Sequence, residues 1–412
     1  MVAVTPLLIL LVLAIVVVIA ARRLRVPYTV ALIVLGFGIG ILGTAIGFSP
    51  LEPSVHALLA PGLFFDLILP PIIFEAALHV NFRLLRRRAG LVLFLVFVGV
   101  IFTTLFTGAL VAAFTSLSLT VALLLAAILS PTDPIAVVDL FRRLKVPEEL
   151  STIVESESLL NDAIGVALFV VLLDLVTTGT SDPVLAAVQF GYLTFGGVAV
   201  GLLVAGAVYV LHRQLQDPTV ETAVSVVAAY GSFLAGNAIG ASGIVACAIS
   251  GIAVGTFVVP RAVGEPSRNA MHVFWSVVVY IANSLVFLSM GLIFGLSQLK
   301  NYIGLIVVVA AAMWLGRVLF VYLHRPLSTP GRTRLPDPWY NVIALSGIRG
   351  AIPVVLALSL LSNPPPIPSA TLDAVVASVI GVAFVTIIAG NLAAEWYVRR
   401  SFPAAGPATG AE

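Results

Sequence analysis

The stretch Glu155-Ser-Glu157-Ser158-Leu-Leu-Asn161-Asp162 runs straight into Ala163–Leu173, which carries no charge. Together they read as one membrane-spanning helix. It holds two carboxylates, Glu157 and Asp162, and the polar side chains of Ser158 and Asn161. An ionisable group in hydrocarbon costs several kcal/mol, about 2.5–3.5 on insertion scales, and such groups face cavities or pathways. This segment therefore marks a site as well as a span.

Composition supports the same reading. The chain has 412 residues, 60% of them hydrophobic and only 10% charged, with net charge +2. Soluble domains carry about 25% charged residues. The mean hydropathy is +1.15. The fold class is an all-α polytopic membrane protein. The lone Cys247 excludes a disulfide framework and a thiolate metal cluster, and the five histidines form no ligand pattern. No cofactor is expected, nor is nucleic acid a partner. The first apolar stretch, Pro6–Ala21, has no basic residue before it and Arg22, Arg23 and Arg25 after it, so it reads as a span, not a cleaved signal.

About 20 apolar residues cross a bilayer. Spans are expected near 4–22, 28–48, 57–79, 89–115, 118–141, 157–178, 184–211, 219–240, 243–259, 268–296, 302–324, 338–360 and 372–396, thirteen in all. With thirteen spans, 18 of the 21 Lys and Arg residues fall on one side: Arg22, Arg23, Arg25, Arg83, Arg86, Arg87, Arg88, Arg142, Arg143, Lys145, Arg213, Arg261, Arg268, Arg325, Arg332, Arg334, Arg399 and Arg400. Only Lys300 falls on the other, and Arg317 and Arg349 lie inside spans. The basic side is cytoplasmic by the positive-inside rule. The N-terminus is then outside, in a multi-pass protein of the cell membrane. Residues 1–400 form one transmembrane domain, and the Ala/Gly/Pro-rich tail 401–412 reads as disordered.

Span five contains Ser130-Pro131-Thr132-Asp133-Pro134, and span twelve contains Ser346-Gly347-Ile348-Arg349-Gly350-Ala351-Ile352-Pro353. Proline removes a donor and clashes with a preceding carbonyl, so both helices should be discontinuous. Asp133 can cap an exposed helix N-terminus there, and the freed carbonyls can face a cation. The two spans are seven apart. That fits inverted six-helix repeats over about 1–178 and 219–396, joined by a linker helix at 184–211. Interrupted helices at matching positions in two halves point to a transport site at the midplane.

Asp162 and Glu157 are five residues apart, which separates them by about 140° on a helix and gives them different tasks. Ser158, four before Asp162, shares its face. A hard alkali cation takes carboxylate, hydroxyl and carbonyl oxygens. Asp162, Ser158 and the backbone near Thr132 offer that set, with Glu157 beside them as a further candidate ion ligand. Glu157 needs a permanent counter-charge, and a guanidinium does not lose its proton. Arg317 is the expected partner, with Arg349 complementing the break in span twelve or pairing with Glu75. One titrating carboxylate for which a cation and a proton compete gives obligatory exchange: the site crosses only when neutralised by either. The expected function is thus secondary transport, not enzymatic catalysis. The Gly-x-Gly-Asp motif of intramembrane aspartyl proteases is absent.

Six stretches then resemble the NhaP-type sodium/proton exchangers of the monovalent cation:proton antiporter-1 group. They are Leu69-Pro-Pro-Ile-Ile-Phe-Glu75, Ser130-Pro-Thr-Asp-Pro134, Glu157-Ser-Leu-Leu-Asn161-Asp162, Ser242-Gly-Ile-Val-Ala246, Phe287-Leu-Ser-Met-Gly291 and Gly347-Ile-Arg-Gly-Ala351. The resemblance implies thirteen helices with crossed discontinuous spans five and twelve, and a homodimer in which a static interface domain carries a mobile six-helix core. It implies that Asp162 binds Na+ (or Li+) or H+, that Ser158 and Thr132 help coordinate, that Asn161 steadies Glu157 and that Asp133 steadies the helix break. The Asn161-Asp162 pair, where electrogenic relatives carry Asp-Asp, implies electroneutral one-for-one exchange. K+/H+ or broad monovalent cation exchange on the same fold is the alternative, because site radius is not legible in a sequence. Many members carry a Glu five residues before the Ser-Gly motif; here that residue is Asn237.

Overall fold

The computed structural model describes residues 4–24, 28–46, 62–133, 141, 144, 146–179, 182–215, 217–293, 296–327 and 335–402, with side chains left undescribed at 4–7, 22, 24, 42–46, 293, 296–298, 326 and 327. The second half of span five (134–140), the tail from 403, and the side chains of Arg22, Arg25, Arg142, Arg143, Lys145, Arg332 and Arg334 lie outside these residues.

All regular structure among the described residues is helical. In chain order come α1 (Val4–Leu24), α2 (Tyr28–Ile46), and α3 (Leu69–Leu78), the last entered through a π-helical stretch, Leu63–Ile68. Then follow α4 (Phe82–Phe114), α5 (Leu119–Ile128), α6 (Glu148–Thr178), α7 (Pro183–His212) and α8 (Pro218–Ala238). Next are α9 (Gly243–Ala262), α10 (Glu265–Ile293), α11 (Leu296–Asn301), α12 (Ile303–Leu327), α13 (Asp337–Leu345) and α14 (Ala351–Ser362). The last is α15 (Ser369–Ser401).

Among the described residues, eight helices are long and apolar enough to cross a membrane: α4, α6 to α10, α12 and α15. Shorter apolar helices lie at Leu8–Ala21, Tyr28–Ile41, Leu119–Ile128 and Ala351–Ser362. The chain is a multi-pass membrane protein. Its outward faces carry exposed apolar side chains, as at Val184, Phe195 and Leu203 of α7, all more than two-thirds exposed.

Local chemistry fixes the helix starts. Asp182 caps α7 by accepting from Val184 N–H (2.9 Å) and Leu185 N–H (3.3 Å), with Pro183 in the first turn. Asp217 caps α8 in the same way, from Thr219 (2.8 Å) and Val220 (3.1 Å). The N–H groups of Val220 and Thr219 hold the exposed Asp217 carboxyl below its usual range. The helix carrying Asp162 begins at Glu148, nine residues before the expected span, because Pro147 caps it and Glu148 and Glu149 suit its positive end. Expected spans eight and nine are two helices, α8 and α9, and the turn between them uses Gly240 at φ 72°.

The helices pack in two sets. α3 and α8 lie on α9, α2 on α10 and α1 on α2, whereas α4 lies on α5 and α12, α5 on α6, and α15 on α12 and α14. α7 touches both sets, packing on α8 and α9 and on α6. Asn237, at the end of α8, accepts the Gly243 N–H of α9 through its side-chain oxygen (3.0 Å). An amide oxygen thus satisfies a free donor at the start of α9. Replacing Asn237 with Ala is expected to cost about 0.5–1.5 kcal/mol, read as a lower melting temperature of the purified protein, while Asn237→Asp keeps the acceptor and the stability.

Candidate ion-binding site

Two helix interruptions meet in the interior. α5 ends at Ile128, and Ser130 to Asp133 run non-helically past Pro131. α13 ends at Leu345, and the chain from Gly347 to Gly350 is non-helical before α14 begins. The backbone of one break bonds the other, with Asp133 N–H donating to Ile348 O (2.7 Å). Arg349 is buried, and its Nη1 donates to the carbonyls of Ser130 (3.2 Å) and Pro131 (3.3 Å). These carbonyls follow the C-terminal end of α5, where a cation complements the helix dipole. In return, the Asp133 carboxylate lies against Gly350, the cap residue of α14, and a Cβ at position 350 would collide with it. An acid thus sits at the positive end of one half-helix and a base at the negative end of the other.

The α6 side chains face these breaks. Thr132 and Ser158 share a hydroxyl–hydroxyl hydrogen bond (3.0 Å), and Ser158 Oγ also donates to the Thr132 carbonyl. Asn161 Nδ2 lies 3.4 Å from both Thr132 Oγ1 and Glu157 Oε1. Glu157 is buried and accepts two parallel bonds from Arg317, Nη1 to Oε1 and Nη2 to Oε2, each 3.1 Å. This fork-to-fork geometry is the strong form of the ion pair. Arg317 also donates from Nε (3.2 Å) and Nη2 (2.9 Å) to the Ile343 carbonyl. Its stem passes Gly347 so closely that a Cβ there would stand 2.5 Å from Arg317 Cδ.

Asp162 is buried on the same helix, one turn after Ser158. The charges of Asp133, Glu157 and Arg349 and the backbone of Thr132 act on its carboxylate. Its Oδ1 has no hydrogen-bond partner among the described residues. A buried acceptor left open is costly unless a ligand, proton or water completes it. A cavity of about 10 Å3 lies at the Glu157–Arg317 pair, lined also by Ser130, Asn161 and Arg349 and not by Asp162. That is room for about one water-sized centre.

The structure therefore brings together Thr132, Asp133, Glu157, Ser158, Asn161, Asp162, Arg317 and Arg349. Two expectations are corrected. Arg349 neither serves its own break nor meets Glu75; it reaches across to the carbonyls that follow α5, because those acceptors have no helical donor. Glu75 stays out of the site, partly exposed on α3 with Oε1 3.4 Å from His79 Nδ1. Sequence reasoning also missed three partners. Ile343 O has no helical N–H donor because α13 ends two residues later, and it accepts from Ser346 Oγ (2.9 Å) as well as from Arg317. Thr386 Oγ1 accepts the Arg349 N–H (3.2 Å), and Met313 Sδ lies 3.0 Å from Arg349 Nε. Thr386 was visible only as a lone hydroxyl in an apolar run, and nothing marked Met313.

The sequence profile of the family described as "Sodium/hydrogen exchanger, transmembrane" matches residues 8–399. The chain belongs to that family. Members of this exchanger family are transporters, and relatives of this chain are named Na+/H+ antiporters. The Na+/H+ antiporter NhaH of Halobacillus aidingensis is 31% identical over 364 residues, 86% of this chain and 88% of its own. The low-affinity Na+/H+ antiporter NhaS1 of Synechocystis is 26% identical over 381 residues, 91% of this chain and 69% of its own. The fold matches the sodium proton antiporter MjNhaP1 of Methanocaldococcus jannaschii at pH 8, with a TM-score of 0.81 at 24% identity, covering 98% of this chain and 99% of that one.

Removing one partner of a buried ion pair leaves an uncompensated charge, at a cost of about 3–5 kcal/mol. Arg317→Ala and Glu157→Ala are each expected to lower the melting temperature of the purified exchanger by more than any single surface charge removal. The double variant should be less harmful than the sum of the two. Additive losses in that cycle would show that the two groups act separately.

Proposed function

We propose that the chain exchanges one Na+ (or Li+) for one H+ across the cell membrane, by alternating access at Asp162. The observation that carries this reading is the contrast between the two buried carboxylates that face the helix breaks, Glu157 and Asp162. Both oxygens of Glu157 are engaged by a guanidinium that keeps its proton. Of the two, only Asp162 has an oxygen without a hydrogen-bond partner among the described residues. Glu157 is therefore a neutralised anchor, not a direct ligand, and Asp162, Ser158 and Thr132 form the Na+ shell, supported by Asn161, Asp133, Arg317 and Arg349.

Charge arithmetic then sets the stoichiometry. A site with one uncompensated carboxylate is neutral with one Na+ or one H+, and crosses only in those two states. The exchange is electroneutral for that reason. In this reading the chain forms thirteen spans, with the N-terminus outside and the basic C-terminal side cytoplasmic. The halves 1–178 and 219–396 are inverted repeats joined by α7, and the broken spans five and twelve cross at the site. The packing of α4, α5 and α6 with α12 and α15 supports a core that moves against α1–α3 and α8–α10. The names of the relatives support Na+ and H+ as the cargo, and the motif resemblance supports a homodimer.

In proteoliposomes, Na+ and Li+ are expected to dissipate an imposed pH gradient, K+ much less, and clamping the membrane potential should change nothing. Asp162→Asn, a mimic of the protonated form, should abolish this flux while the protein still folds. A flux that survives in Asp162→Asn removes the assignment, and one steered by potential removes the one-for-one ratio. Since proton and cation contend for the same oxygens, acidification should raise the Na+ concentration needed for half-maximal flux without lowering the maximum.

A further inference from the structure

We propose that a groove between the start of α4 and the end of α9 binds the phosphate group of an anionic ligand. The groove has a volume of about 1070 Å3, and Arg83, Arg86, Arg87 and Arg261 line it with Asn81 and Glu148. Protein sites for small ligands run from about 300 to 1,000 Å3, so it is large enough for a phosphorylated headgroup or a nucleotide.

The arginines of this groove differ from their neighbours. On the basic side, Arg88 pairs with Glu149, Arg325 with Asp337 and Arg399 with Glu395. Arg213 and Arg400 stack over Tyr209 and Trp396. Arg83, Arg86 and Arg87 are exposed and have no ion pair, hydrogen bond or ring contact among the described residues. Their i, i+3, i+4 spacing puts all three on one face of α4. Arg261 faces the groove from α9, stacked on Phe257 (5.4 Å) and bonded through Nη1 to the carbonyls of Thr256 and Phe257 (3.3 Å each). Glu148, the one carboxylate among the described lining residues, accepts from Asn81 Nδ2 (3.2 Å).

Four guanidiniums thus line the groove with one carboxylate among the described residues. Their mutual repulsion favours an anion, and the planar fork of arginine matches phosphate oxygens two at a time. A topogenic role needs basic residues only somewhere near the span ends; it requires neither a shared helix face nor a facing arginine from another helix. The same chemistry suits an anionic phospholipid headgroup or a soluble phosphate. Phe257 is 44% exposed beside Arg261 and packs against Phe82, so apolar surface adjoins the charge. Because α4 and α9 belong to different helix sets, a bound phosphate would tie one to the other and slow exchange; this consequence rests on the alternating-access reading, whereas the binding does not.

The test uses the purified full-length protein and reads thermal stabilisation, with no transport needed. The titrants are phosphatidylglycerol, phosphatidylcholine, inorganic phosphate and ATP. The variants are the triple Arg83→Gln, Arg86→Gln, Arg87→Gln and a control, Arg399→Gln with Arg400→Gln. Stabilisation by phosphatidylglycerol but not phosphatidylcholine, present in the control and lost in the triple variant, supports a lipid headgroup. The same pattern with phosphate or ATP supports a soluble ligand. No stabilisation by any phosphate, or an equal response in the triple variant, overturns the proposal. If the triple variant does not fold, lysine at all three positions keeps the charge and loses the fork. It should then need about tenfold more ligand, the loss of one charge-assisted hydrogen bond, and an unchanged titration overturns the proposal.

Discussion

A bilayer offers no water to a broken helix, so every donor and acceptor freed at the breaks must find a partner inside the protein. Here the two breaks satisfy one another. Asp133 N–H bonds Ile348 O, Arg349 takes the Ser130 and Pro131 carbonyls, and the Asp133 carboxylate rests at the start of α14. Neither interruption would be tolerable alone. Together they leave a polar centre among apolar helices, and this centre is what the remaining helices are packed to enclose.

The same constraint sorts the charges. A carboxylate in that centre needs a counter-charge or a ligand. Glu157 has the first, a bidentate pair with Arg317, whose Nε and Nη2 also donate to the Ile343 carbonyl. The pair is satisfied without any mobile ion, so it can stay fixed while the site changes state. Asp162 lacks such a partner at one oxygen, and it stands one helical turn from Ser158, whose hydroxyl is already oriented by Thr132. The structural charges thereby prepare a single position at which charge is left to be balanced from outside the protein.

Small residues set how closely these parts approach. Gly350 makes space for the Asp133 carboxylate and Gly347 for the Arg317 stem. Both lie in the Gly347-Ile-Arg-Gly350 turn, so one short motif supplies a cation, two close approaches and a helix start. The extended length of α6 has a comparable logic. Its first turn lies before the apolar run, where Glu148 and Glu149 suit the helix dipole, and its buried middle carries the site residues.

The sequence by itself determined the class of protein, the two breaks and the acids of the site. These follow from local rules: apolar length, proline chemistry, and the cost of a charge in hydrocarbon. It also narrowed the partner of Glu157 to two buried arginines, since no other cations lay inside spans. Tertiary structure decided what depends on contacts between distant helices. Position in the chain could not say that Arg349 serves the other break, that Glu75 stands apart beside His79, or that Ile343, Thr386 and Met313 are contacts of the arginines. Backbone carbonyls are identical in every sequence, and which of them become acceptors depends on where helices end and what packs there. The same holds for Asn237, whose role as acceptor for Gly243 appears only once α8 and α9 are folded against each other.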